Sequence, residues 1–309
     1  MKPLVIYHHN CADGFTAAWA VRRAMECDFH PAVHGAPPPQ AAGRDVVLVD
    51  FCYPRDVMLE LQQVARSILV LDHHKTAEEV LTAECRTAAE FLTVVRMDAC
   101  GGTQPWTWER VMGCRSNLDA GGVGKAVIYA LFDRHRSGAG IAWDFFHPGK
   151  ARPVFIDYVE DRDLWRFALQ HTREICATVH SYPYTFEAWD ALASETAYSM
   201  YQQGLVLERG RAKELAEIVA AAKRRLVIGH YDVPVASLPH TLASDAGHLM
   251  GQGEPFAATY YDTSAHRVFS LRSGPDSVDV SEVAKLYGGG GHSTSAGFRV
   301  PRDHELARA

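Results

Sequence analysis

The sequence predicts an α/β protein, with a doubly wound parallel sheet joined by a helical linker to a smaller C-terminal α/β unit. Three observations predict it. Residues 4–75 alternate apolar runs with helical segments in the order β-α-β-α-β, the pattern of a parallel sheet with crossover helices. Three of those runs end in the same chemistry. Leu4-Val5-Ile6-Tyr7 runs into His8, His9, Asn10, Cys11, Ala12, Asp13 and Gly14; Val46-Val47-Leu48-Val49 ends in Asp50; Ile68-Leu69-Val70-Leu71 ends in Asp72, His73 and His74. Open α/β sheets bind ligands at the carboxyl ends of their strands. Beyond a long proline-free helical stretch, strands again dominate.

The elements follow in order. Strand 4–7 leads to a helix over 13–26, opening at Asp13 or Gly14 with Ala17, Ala18 and Ala20 inside. Pro37-Pro38-Pro39 marks a loop before strand 46–50. Helix 54–65 opens on Pro54, a first-turn position where a missing N–H costs nothing. Strand 68–72 follows. Residues 78–130 read as an irregular or inserted segment, with Cys100-Gly101-Gly102-Thr103-Gln104-Pro105-Trp106 as a loop. Gly121-Gly122-Val123-Gly124-Lys125 resembles a phosphate loop only superficially, because Asp119 and Ala126 stand where that motif needs Gly and Ser or Thr. A helix over about 122–134 is expected instead. A further segment starts at Pro153-Val154-Phe155-Ile156, and residues 197–226 read as a helix with Glu208, Arg211, Lys213, Glu214, Glu217 and Lys223 on its surface. Strands are expected at 227–229, 233–237, 256–261 and 267–272, then a helix near 279–287, a glycine loop and a last strand at 296–300. The expected domains are 1–195, a linker helix 196–226, and 227–309.

Bulk properties narrow the class. With 309 residues and 47 % hydrophobic composition, the chain is long for one core. A charged fraction of 22 % excludes wholesale disorder, and a net charge of −6 argues against coating long duplex nucleic acid. Seven widely spaced cysteines without a Cys-x-x-Cys pair fit a reducing compartment better than a disulfide framework. No signal-peptide pattern opens the chain, and no apolar run approaches the ~18 residues that span a bilayer, so a soluble cytoplasmic protein with no membrane partner is expected.

Carboxylates and imidazoles delivered to one sheet edge point to a metal site for more than one ion. In its motifs the chain resembles the DHH family of phosphoesterases, the superfamily of RecJ exonucleases, nano-RNases, pAp phosphatases and cyclic-dinucleotide phosphodiesterases. His9-x-Cys11-x-Asp13-Gly14 resembles the first motif, Asp50 the second, Asp72-His73-His74 the third and Val159-Glu160-Asp161-Arg162-Asp163-Leu164-Trp165 the fourth. Gly288-Gly289-Gly290-Gly291-His292 through Ala296-Gly297 resembles the signature of the associated C-terminal domain. The resemblance implies two divalent metal ions, one held by Asp13, Asp50, His73 and Asp161, the other by His9 and Asp50. Asp50, at the central strand's end, is the choice for the bridging carboxylate. Asp72 is expected to orient an imidazole, since ligating histidines donate their second N–H to a carboxylate. His74 is expected to contact the substrate phosphate and protonate the leaving oxygen.

Cys11 departs from the family, which has an aspartate there. As a thiolate ligand it would bias the site from Mn2+ toward Fe2+, Zn2+ or Co2+; alternatively it is a spectator. Other residues have plainer expectations. His8 caps the strand, Asp157 competes with Asp161 for the metal, Asp163 is a hydrogen-bonding support or cap, Trp165 is expected in the core rather than as a base-stacking platform, and Lys223-Arg224-Arg225 is a solvated helix end rather than a nucleic-acid patch.

Four consecutive glycines carry a high conformational-entropy cost and imply close backbone approach. Their amides can cradle an anion, with His292 as a further donor. Upstream lies Phe269-Ser270-Leu271-Arg272-Ser273; the resemblance gives the arginine a grip on a substrate phosphate. Ser270, Arg272, Gly289, Gly290, Gly291 and His292 form the expected substrate-binding set, facing the metal domain across a cleft. The expected activity is that of a phosphoric diester hydrolase releasing 5′-mononucleotides from short RNA or small (di)nucleotides. A pAp phosphatase or cyclic-nucleotide phosphodiesterase, an inorganic pyro- or polyphosphatase, and a non-catalytic nucleotide sensor stand as alternatives. A homodimer is compatible with the sequence.

Overall fold

The computed structural model describes residues 1–82, 92–97, 107–112 and 125–308. The chain divides into two compact units, Met1–Glu208 and Arg209–Ala309. The expected loop at 100–106 and the glycine run 121–124 lie outside the described residues.

The first unit is built on a six-stranded sheet of β1 (Leu4–His8), β2 (Asp28–Ala32), β3 (Asp45–Val49), β4 (Ser67–Asp72), β5 (Val94–Arg96) and β6 (Ile128–Phe132). Its order is β2-β1-β3-β4-β6-β5, and every pair is parallel. The chain leaves β1 toward β2 on one side and returns to β3 on the other. The carboxyl ends of β1 and β3 therefore flank the switch point where such sheets open a crevice.

Alternation along the strands sends side chains to two cores. Val5, Val47, Val49, Leu69, Leu71 and Tyr129 face one layer, which contains α1 (Ala12–Ala24). Leu4, Ile6, Val46, Leu48, Ile68 and Val70 face the other, packed on Met58 and Leu61 of α2 (Arg55–Val64) and Ala77 and Leu81 of α3 (Lys75–Thr82). Each large side chain so buried contributes about 1.5–3 kcal/mol. The first layer also holds α4 (Gly138–Phe146), α5 (Val154–Asp163), α6 (Thr172–Ser181) and α7 (Phe186–Leu192). Ala17, Ala18 and Ala20 keep one side of α1 low, and Trp19 stacks on Trp143 of α4 at 5.8 Å.

Two expectations change. β2 was not anticipated, since Asp28-Phe29-His30-Pro31-Ala32 carries charge and a proline, which only an edge strand tolerates. The helix expected over 122–134 is replaced at Ile128–Phe132 by β6. That apolar run has no period of its own, and pairing with β4 and β5 decides it.

α8 (Ala197–Ala222) crosses the boundary between the units and gives way to strand at Arg224, short of the expected 226. The second unit carries β7 (Arg224–Ile228), β8 (Tyr231–Ser237), β9 (Ala257–Asp262), β10 (His266–Arg272), β11 (Gly290–Gly291) and β12 (Ser295–Pro301). Their order is β11-β12-β10-β9-β8-β7, antiparallel except for β8 with β9. Ile228, Val235, Phe256, Phe269, Leu271 and Phe298 form its core. α9 (Ala243–Met250) was not anticipated, whereas α10 (Val280–Lys285) was. Among the described residues, no helix is long and apolar enough to cross a membrane.

Candidate metal centre

The carboxyl ends of β1, β3 and β4 bring together His8, Cys11, Asp13, Asp50, Asp72, His73 and His74, joined by Asp163 at the end of α5. Asp50 sits at the middle. It is 2 % exposed, has a left-handed backbone (φ 52°), and donates its N–H to Leu71 O at 3.0 Å, which pins it to β4. Aspartate is among the few non-glycine residues that tolerate this conformation. Its Oδ1 lies 3.2 Å from His73 Nε2 and 3.8 Å from His74 Nδ1, while Oδ2 lies 3.7 Å from His8 Nδ1. His73 Nε2 is also 3.7 Å from Asp13 Oδ2 and 3.6 Å from Asp163 Oδ2.

Asp72 builds the turn that presents the two histidines. Its Oδ1 accepts from His73 N at 2.7 Å and His74 N at 3.2 Å, and pairs with His74 Nδ1 at 2.7 Å. The imidazole that Asp72 orients is thus that of His74. Asp13 is held from the far side of the crevice: its carboxylate accepts from Gly138 N at 2.6 Å and Ala139 N at 2.9 Å, the first amides of α4. A helix N-terminus favours negative charge there.

This support from Ser137-Gly138-Ala139 was missed by sequence reasoning. Its signal was a serine N-cap before small residues: Ser137 Oγ accepts from Gly140 N at 3.2 Å. A Cβ on Gly138 would lie 2.5 Å from Asp50 Cβ and 2.9 Å from Asp13 Oδ2. A Cβ on Gly14 would lie 2.6 Å from His8 O, so both glycines are required by crowding at the site.

The structure places two of the expected ligands apart from the cluster. His8, not His9, reaches the cluster; His9 lies exposed beyond the strand end. Asp163, not Asp161, lies within reach of His73 and Asp13. Asp161 is buried but turned into the following loop, where it accepts from Ala168 N at 2.9 Å, Leu169 N at 3.2 Å and Thr172 Oγ1 at 2.5 Å. The rival Asp157 pairs with Arg152 at 3.4 Å. Glu160 of the same motif accepts from Ser137 N at 2.9 Å and so braces the α4 N-terminus.

The electrostatics call for a cation. Burial opposes a charged ring on His73, yet hydrogen bonding to Asp50 and the charges of Asp163, Asp50 and Asp13 lift it to about 10. Burial works against Asp50 as well, but His73, His8 and His74 hold it well below the usual carboxylate range. Burial, Asp163 and Asp50 push Asp13 up, and burial with Asp50, Asp163 and Asp13 pushes the Cys11 thiol well up. Asp50 Oδ2, although buried, has no hydrogen-bond partner among the described residues. His8 Nδ1, at 3.7 Å, lies beyond hydrogen-bond distance of it, and a buried carboxylate oxygen without a hydrogen bond is costly. The donor atoms form overlapping groups: His8, Cys11 and Asp50; Asp50, Asp72, His73 and His74; Asp13, His73 and Asp163. Oxygen and nitrogen donors suit divalent cations, and Cys11 adds a softer one. The residues present fit a metal.

In the second unit, Arg272 ends β10 and donates to Leu271 O and Ser244 Oγ, each at 2.8 Å. Gly247 of α9 makes room for it, since a Cβ there would lie 2.6 Å from Arg272 Cγ. Ser270 pairs in register with Gly297 and Thr259. The close approach demanded by the glycines is to β12: a Cβ on Gly289 would lie 2.1 Å from Gly297 O, and one on Gly291 2.5 Å from Ser295 O. Gly290 pairs with Gly297, and His292 N donates to Ser295 O at 2.7 Å.

No family model matches the chain. Among curated proteins it is similar to an uncharacterized protein, R106, of Acanthamoeba polyphaga mimivirus, with 24 % identity over 96 % of this chain and 66 % of that one. The chain thus spans 66 % of the length of this relative. Among solved structures it is similar to RecJ in complex with Mn2+ from Thermus thermophilus, with 14 % identity, a TM-score of 0.44, and coverage of 96 % of this chain and 49 % of that one. It is also similar to a pGpG-specific phosphodiesterase from Vibrio cholerae, with 12 % identity, a TM-score of 0.33, and coverage of 97 % and 93 %.

Proposed function

We propose that the protein is a divalent-metal-dependent phosphoesterase that hydrolyses short oligoribonucleotides or small dinucleotides to 5′-mononucleotides. The observation that carries this reading is the division of Asp50. One of its carboxylate oxygens faces His73 and the other His8, so a single buried residue joins two ligand groups at the switch point of a parallel sheet. The motif resemblance in both parts of the chain supports the same reading.

Asp13, Asp50, His73 and Asp163 would hold one ion, and His8, Cys11 and Asp50 the other. Divalent ions supply Lewis acidity, lowering the pKa of water toward neutrality and offsetting charge on a phosphoryl group. The remaining work belongs to the chain's own side chains. Asp72 fixes the orientation of His74 through Nδ1, which assigns Nε2 to the substrate side as phosphate contact and proton donor to the leaving oxygen. The α4 amides fix the position of the Asp13 carboxylate beside His73. In this proposal Arg272 and the Gly289-Gly290-Gly291-His292 segment serve as the phosphate-binding groups of the second unit.

The test is hydrolysis of 5′-labelled RNAs two to twenty-four nucleotides long, with pAp, cyclic mononucleotides and linear dinucleotides alongside, in Mn2+, Fe2+, Co2+, Zn2+ or Mg2+. Rapid turnover confined to the shortest RNAs and dinucleotides is expected. Turnover of pAp or cyclic mononucleotides alone would move the substrate class, and tight nucleotide binding without turnover in any metal would make the protein a sensor.

A further inference from the structure

The segment that follows Asp163 has a construction that the metal cluster does not require. Within seven residues, Trp165 (φ 55°), Phe167 (φ 48°) and His171 (φ 66°) adopt left-handed backbone. Bulky residues avoid this region, and such strain persists only where the surroundings over-determine it, typically at ligand sites. Asp161 does the determining: its backbone O accepts from Arg166 N at 2.8 Å and Phe167 N at 3.4 Å, and its carboxylate accepts from Ala168, Leu169 and Thr172. The effect is to set Trp165 and Phe167 edge to face at 4.8 Å, both only half-buried. The guanidinium of exposed Arg173 lies 4.1 Å from the Phe167 ring centroid and 5.8 Å from that of Trp165; Arg162 lies 5.5 Å from Trp165.

We infer that Trp165 and Phe167, flanked by Arg162 and Arg173, form a nucleobase-stacking wall beside the metal centre. The inference rests on the phosphoesterase reading for its substrate class and names the residues that would recognise the base. Trp165 follows Asp163 by two residues, so its Cα lies within about 7 Å of the Asp163 Cα. A nucleotide whose phosphate lies at the Asp163–His73 cluster therefore has its base within reach of the wall. Aromatic faces stack any base, and the positive charge of the neighbouring guanidinium groups favours an anionic ligand. This chemistry gives affinity for nucleotides without fixing which base is bound.

The experiment measures equilibrium binding of AMP and of ribose 5-phosphate, with Mn2+ present, to the full-length protein and to Trp165→Gly, Trp165→Phe and Arg173→Met. Glycine accepts φ 55° freely, so Trp165→Gly removes the ring while permitting the backbone. The wild type is expected to prefer AMP by about ten- to a hundredfold, with the ratio falling toward one in Trp165→Gly and returning in Trp165→Phe. Arg173→Met lies on the surface and gives a second reading, an expected drop of the ratio of at least about threefold. A ratio unchanged in Trp165→Gly and Arg173→Met, or no wild-type preference for AMP, overturns the wall. Hydrolysis of diadenylate is followed in parallel. Wild-type preference for AMP, lost in Trp165→Gly, without cleavage in any metal would sustain the wall and sink the phosphoesterase reading. Cleavage with an unchanged ratio would do the reverse.

Discussion

Asp50 concentrates the chemistry in one side chain, because each of its oxygens faces a different imidazole. Asp50→Asn keeps the shape and removes the charge; hydrolysis of a dinucleotide should fall by about a thousandfold or more, with the circular dichroism spectrum unchanged. Residual turnover near the wild-type level would refute the bridging role. The titration of the cluster gives a second prediction. His73, raised from 6.5 to about 10, is protonated at neutral pH, and the Cys11 thiol is also raised, so both must lose a proton to bind a cation. Calorimetry at pH 8 in buffers of different ionisation heat should report about one proton fewer released on filling both sites in Cys11→Ala than in the wild type. Equal release in the two proteins would make the thiol a spectator. The sign for metal-free stability follows from the same shift: His73 stabilises the fold fully below its unfolded value of 6.5, and that contribution is lost as pH rises through about 10. The motif residue types were legible in the sequence, but the choice between neighbours was not. His8 and His9, or Asp161 and Asp163, differ by one or two positions in direction, which spacing leaves open and backbone geometry decides.

At the scale of elements, the strands were legible wherever both faces are buried, since Val46-Val47-Leu48-Val49 and Ile68-Leu69-Val70-Leu71 have no polar interruption. The edge strand β2 was not, and neither was the α4 N-terminus that grips Asp13, because its function lies in backbone amides that carry no residue code. Two glycines separate these effects experimentally. Gly138→Ala puts a Cβ into Asp50 and Asp13, so it should lower stability by about 1–3 kcal/mol and reduce turnover together. Gly210→Ala, inside α8 with open space around it, should raise stability by about 0.5–1 kcal/mol through helix propensity alone. Thermal melts of the two variants, paired with dinucleotide hydrolysis, check both. An active, undestabilised Gly138→Ala would show that the crowding there is relieved by a backbone shift without consequence for the site.

The whole molecule joins a parallel sheet with a carboxylate–imidazole cluster at its switch point to a mixed sheet whose β10 ends in Arg272. Both sheets were foreseeable from runs of alternating or continuous apolar residues, while the unit boundary inside α8 has no compositional mark, since the helix continues through it. The glycine run was legible as close backbone approach, and the partner proved to be β12 of the same sheet. That makes Arg272 the sharper probe of whether the C-terminal unit takes part in substrate capture. Its guanidinium is steadied by Ser244 and Leu271 O, with Gly247 clearing the space beside it. Loss of a charge-assisted phosphate contact costs about 1.5–3 kcal/mol, so Arg272→Ala should raise the KM for a dinucleotide by about ten- to a hundredfold with kcat much less affected. Arg272→Lys should restore only part of this, because an ammonium lacks the planar fork. Gly247→Ala should imitate the loss by displacing the arginine stem. A KM unchanged in Arg272→Ala would confine substrate capture to the first unit and leave Asp13, Asp50, His73, His74 and Asp163 to act without a second grip.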